Sequence, residues 1–92
     1  MAHRTLPQGI RQEFLSYRGH QVVITYDDTA EKSKHIWIET NGSVKRHLVQ
    51  TGEDTLRVFD GQGRPRGELL VAWGYLKPEH LCSLLTRRDL EE

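Results

Sequence analysis

His35-Ile36-Trp37-Ile38-Glu39-Thr40-Asn41-Gly42-Ser43-Val44-Lys45-Arg46-His47-Leu48-Val49-Gln50 is the stretch that decides the fold. Ile36 and Ile38 alternate with His35, Trp37 and Glu39, the period-two pattern that sends successive side chains to opposite faces of a strand. Asn41-Gly42 follows directly. Both central residues of a type I′ turn need positive φ, and Asn-Gly is the pair that accepts it most readily. Strand 43–50 is therefore predicted to pair antiparallel with strand 35–40.

The same alternation continues on either side. Residues 20–26 are rich in β-branched and aromatic types, with Val22, Ile24 and Tyr26 sharing one face. Thr51-Gly52-Glu53-Asp54 reads as a second turn, and 55–60 as a short strand with Leu56 and Val58 on one side. The polar stretch 27–34 and the glycine-rich stretch 61–67 read as loops. Leu69-Leu70-Val71-Ala72-Trp73 is apolar on both faces, so strand 68–74 is predicted either in the sheet interior or between helices on one side and a partner on the other.

Helices are expected at the two ends. Ile10, Phe14, Leu15 and Tyr17 are spaced for a short amphipathic helix over 9–18, with Gly19 as its stop. Pro78 suits the first turn of a final helix, whose buried stripe is Leu81, Leu84, Leu85 and Leu90. The expected architecture is α+β: an N-terminal helix, a five-stranded antiparallel meander, and a C-terminal helix. A small curled sheet resembling a partly open barrel satisfies the same pattern. The chain reads as a single domain over 1–92 with a flexible lead at 1–8.

Composition narrows the function classes. The 92 residues are 36% apolar and 28% charged, and 13 basic side chains balance 13 acidic ones. A net charge of zero argues against a uniformly basic nucleic-acid binder and provides no field to steer a charged partner. One cysteine excludes an intrachain disulfide framework and a cysteine-rich zinc site. No stretch approaches the ~18 apolar residues of a membrane span, and the start of the chain lacks the apolar segment of an export signal. A reducing cytoplasm is the expected location, with no membrane partner.

The chemistry-bearing residues form no recognisable catalytic motif. There is no G-x-S-x-G, H-E-x-x-H or G-x-x-x-x-G-K-[ST]. His20, His35 and His47 lie on three predicted strands, and a metal would need all three on one face and in register. His80 and Cys82 are two apart on a helix and do not face each other. No metal or cofactor is expected, and Cys82 is read as a packed structural thiol. A nuclease-like enzyme would need a histidine beside a cation or acid, for which His47 with Lys45 and Arg46, or His35 with Glu39, are the candidate groupings.

Two local resemblances stand out. Gly63-Arg64-Pro65-Arg66 looks like the core of an AT-hook, although Gln62 replaces the arginine expected before the glycine and Asp60 and Glu68 bracket it. That resemblance implies arginines inserted into a narrow minor groove. Val22-x-Ile24-x-Tyr26-Asp27 with His35-Ile36-Trp37-Ile38 and Asn41-Gly42 is similar to the small β-barrel of Mu-type transposases, but the second half of the chain does not continue the pattern. Neither assigns a family. The expected function is a small non-enzymatic binding or regulatory module acting through protein–protein contact, a homodimer being one form of it. Trp37, Val23 and Val49 are the expected partner surface. The alternatives are a nucleic-acid-binding module using Arg64, Arg66, Lys45 and Arg46, and the nuclease-like enzyme.

Overall fold

The computed structural model describes residues 8–30 and 33–92. The flexible lead expected at 1–8 lies, except for Gln8, outside the described residues, as do Glu31 and Lys32 of the 27–34 loop. Six strands follow one another along the chain: β1 (Ile10–Tyr17), β2 (His20–Asp27), β3 (His35–Thr40), β4 (Ser43–Gly52), β5 (Thr55–Asp60) and β6 (Pro65–Leu70). They pair in sequence order in one antiparallel sheet that does not close into a barrel. After β6 come a 3₁₀ turn at Trp73–Tyr75 and two short helices, α1 (Pro78–Cys82) and α2 (Arg87–Glu91). The architecture is thus a six-stranded meander with a few short helices. Among the described residues no helix is long and apolar enough to cross a membrane.

The central hairpin forms as its sequence predicts. Asn41 and Gly42 have φ of 54° and 78°, and Thr40 pairs with Ser43 across the turn. One irregularity follows. Ile38 pairs with Arg46 and Glu39 with Val44, so Lys45 is the extra residue of a β-bulge.

The N-terminal helix is not present; 10–17 is the edge strand β1. Tyr17 pairs with His20 around a two-residue turn in which Arg18 and Gly19 have φ of 50° and 80°. Gly19 therefore serves a hairpin and not a helix end. Leu15 and Tyr17, two apart, both pack against the core, which is strand spacing.

The apolar run near residue 70 also differs from expectation. β6 starts at Pro65, inside the stretch read as a loop, and lies at the sheet edge, where a missing N–H is tolerated. Leu70 is 86% exposed, and Trp73 leaves the sheet so that its indole N–H donates to the Glu53 carbonyl at 2.9 Å.

The single C-terminal helix is two. Leu84 and Leu85 amides donate to the carbonyls three residues back, which ends α1. Thr86 then starts α2 with a capping box: its hydroxyl accepts from the Asp89 amide at 3.1 Å, and the Asp89 carboxylate accepts from the Thr86 amide at 2.8 Å. Leu81, Leu85 and Leu90 are buried as expected of the stripe, and Leu84 packs against them.

The core is one-sided. Val22, Ile24, Tyr26, Ile36, Ile38, Leu48, Leu56 and Val58 line one face of the sheet, and the segment from Val71 to Leu90 covers them. Asn41 fastens that cover, its side-chain amide donating to the Leu90 carbonyl at 2.7 Å.

Candidate functional site

The other face of the sheet is covered by no described element. Strand register arranges it in rows. Phe14, Val23 and Glu39 run across β1 to β3; Gln12, Thr25, Trp37, His47 and Phe59 run across β1 to β5; His35, Val49, Arg57 and Glu68 run across β3 to β6. Phe14 is 70% exposed, and Leu70 joins the same face opposite Thr55. The expected partner residues Trp37, Val23 and Val49 all stand here, each half-buried.

Aromatic rings tile the middle of this face. Trp37 and His47 lie parallel within 4° with centroids 5.0 Å apart, and Phe59 sits 6.2 Å from His47. His35 Nδ1 and His47 Nε2 are 2.9 Å apart. Their ring centroids are separated by 5.1 Å with planes 17° apart, so the rings meet edge to edge in nearly one plane. One proton fits on that line: one nitrogen donates and the other accepts as a neutral imidazole. Burial, then the neighbouring His35, holds the His47 pKa below its ordinary 6.5.

Two histidines thus converge, and His20 does not join them; among the described residues no three metal-ligating side chains gather. Of the nuclease-like groupings, neither Arg46 with His47 nor His35 with Glu39 is brought together. Arg46 points to the covered face, away from His47, where its Nη2 pairs with Asp89 Oδ2 at 2.9 Å. His35 and Glu39, four residues apart on β3, are separated by about 13 Å of extended strand.

The cations proposed for nucleic-acid contact gather at a different place. A cleft of about 620 Å³ opens at the sheet end where the β4 bulge, the β5–β6 turn and α2 meet. Lys45, Arg46, Arg64, Arg66 and Arg88 line it with Asp60, Asp89 and Glu92. Asp60 organises the turn: its Oδ1 accepts from the Gln62 and Arg64 amides, both at 2.9 Å, and its Oδ2 faces Arg66 Nε at 3.4 Å. The Arg64 amide above all holds its carboxyl below the usual carboxylate range; desolvation pushes the other way, and the Gln62 amide and nearby arginines add to the lowering. Burial pushes the Asp89 carboxyl up, but hydrogen bonds from Thr86 and the Arg46 guanidinium outweigh it and leave it low. The AT-hook-like segment is the turn and the start of β6, so its backbone is tied into the sheet and is not a free ribbon for a groove.

Sequence reading missed the edge-to-edge histidine pair and the role of Phe59 and Phe14. The alternation Arg57-x-Phe59 already set Phe59 opposite Val58, on the face of His47. Compared with known proteins, the chain matches no family model, no curated protein and no solved structure.

Proposed function

We propose that the chain is a non-enzymatic binding module that associates with a second copy of itself through the open face of the sheet. The observation that carries this reading is the one-sided core. One face is sealed by the C-terminal segment, while the other presents Trp37, Val23, Val49, Phe14, Phe59 and Leu70 with no described element above them.

Dimension favours a macromolecular partner. Six strands about 4.8 Å apart, rising about 3.3 Å per residue over six to eight residues, make a face of roughly 600–750 Å². Specific interfaces bury roughly 600–1,000 Å² on each partner. Charge favours a second copy. Arg57 and Glu68 are cross-strand partners on this face, and Glu39 stands at its margin, so both signs are available for a self-complementary two-fold contact. A chain of zero net charge does not repel its twin. Stacking two such faces about 10 Å apart makes a two-sheet sandwich with a buried aromatic centre.

Sedimentation of the wild-type chain tests this. A dimer is expected at tens of micromolar, and Trp37→Glu, which sets a carboxylate in the centre, is expected to give a folded monomer. A wild-type monomer at that concentration overturns the reading.

A further inference from the structure

We propose that the cleft at the end of the sheet binds a phosphate-bearing small molecule, with Lys45 and Arg64 as its charged ligands and Arg66 as a third. This site is separate from the open face and does not depend on dimerisation.

The charge distribution is the first argument. The chain is neutral, yet the cleft gathers five cationic side chains against three carboxylates. Those carboxylates are already engaged. Asp89 holds Arg46 and caps α2, Glu92 pairs with Arg88 at 2.9 Å, and Asp60 holds the turn amides. Lys45 and Arg64 form no ion pair with a side-chain carboxylate among the described residues, although the Arg64 charge acts on Asp60 from a distance. Lys45 Nζ reaches only the Glu92 main-chain oxygen at 3.5 Å, and Arg64 bonds the neutral Gln62 side chain. Arg66 stands 3.4 Å from Asp60 with a largely exposed side chain, so its guanidinium can turn toward an anion without leaving its turn. Two cations without a side-chain ion-pair partner, with a third beside them, suit a phosphoryl group, whose charge and three oxygens exceed what a carboxylate offers.

The second argument is that the cradle is built. A Cβ on Gly61 would stand 2.5 Å from the Val44 carbonyl oxygen, so only glycine lets the β5–β6 turn close against β4. Asp60 fixes the same turn through two amides. The bulge that makes Lys45 the extra residue places it at the other wall. Both cations are thus set by backbone geometry. The volume, about 620 Å³, exceeds a lone phosphate and matches ligand pockets of roughly 300–1,000 Å³. A small molecule fits better than a polymer. A neutral chain has no basic track along which a nucleic-acid backbone would run.

Titration of the full chain with pyrophosphate at fixed ionic strength, followed by amide chemical shifts, tests the proposal. Saturable shifts at residues 43–46 and 60–66 are expected. The Lys45→Gln/Arg64→Gln variant should bind at least about tenfold more weakly with an unchanged Tm, as loss of charged hydrogen bonds predicts. Arg87→Gln, at an exposed position outside the cleft, should bind as the wild type does. Absence of saturation, shifts scattered over the surface, or equal weakening by Arg87→Gln overturns the site. Tighter binding of a single-stranded oligonucleotide than of pyrophosphate overturns the ligand class.

Discussion

Residue by residue, the chain shows how different the demands on two glycines can be. Gly42 has φ of 78° and open space where a Cβ would go, so its requirement is conformational. We predict that Gly42→Val destabilises by about 1–3 kcal/mol, the scale of a side chain held in the left-handed region. An unchanged denaturant midpoint would refute the turn's role. Gly61 is steric instead: the Val44 carbonyl occupies the space its Cβ would need. Cys82 is a further residue-level case. It is fully buried between Leu81 and the sheet, and burial, with the Glu79 carboxylate adding, pushes its thiol pKa up. Both effects suppress the thiolate that reacts. A thiol reagent should modify it slowly in native buffer and rapidly in denaturant, and equal rates would show that the α1 face is not closed.

At the level of elements, the β3–β4 ladder carries the titratable part of the open face. The His35–His47 hydrogen bond admits one proton on its axis, and adding a second forces two N–H groups together. Around the pair stand Asp27, the cross-strand partner of His35; Glu39 at the far end of β3; and Arg57 on β5 opposite Val49. The folded state holds the His47 pKa below its ordinary 6.5, so the unfolded chain binds protons first as pH falls. The stability linked to this group is therefore complete above that value and is lost as pH drops through the folded pKa. We predict a falling denaturant midpoint between about pH 7 and about pH 5, with a shallower fall in His47→Gln. Identical slopes in the two proteins would remove His47 from the cause. The helical spacing of Ile10, Phe14 and Tyr17 lost to pairing with β2, because an edge strand gains its hydrogen bonds from a partner that spacing alone does not show.

For the whole molecule, the one-sided core is the feature on which the proposed self-association rests. A 92-residue chain with one sealed face has half of its sheet available to a second copy. The proposed dimerisation through that face would link folding to association, so Tm is expected to rise with protein concentration. The two proposed surfaces answer salt in opposite ways. Apolar association at Trp37 should hold or strengthen as salt rises, whereas phosphate binding at Lys45 and Arg64 should weaken through screening. A dimer that dissociates on adding salt would show that charge, and not the aromatic face, holds it together.

The sequence alone determined what depends on short-range chemistry. The Asn41-Gly42 turn, the facing of Ile36 and Ile38 against His35 and Trp37, the leucine stripe near the C-terminus and the packing of Cys82 were all legible, because turn φ preferences and side-chain alternation are local. The capping box Thr86-Arg87-Arg88-Asp89 was also legible and would have split the last helix. What depends on distant partners was not. Strand β1, the early start of β6 and its place at the edge follow from pairing and from the Asp60-bound turn, which only the folded chain brings together. The same holds for the candidate sites: Trp37, Val23 and Val49 fell on one face by alternation, but that this face is the uncovered one was decided by which side the C-terminal segment packs on. Arg46 carried the right charge for a phosphate contact, yet its strand parity and Asp89, 43 positions along the chain, committed it to a buried ion pair.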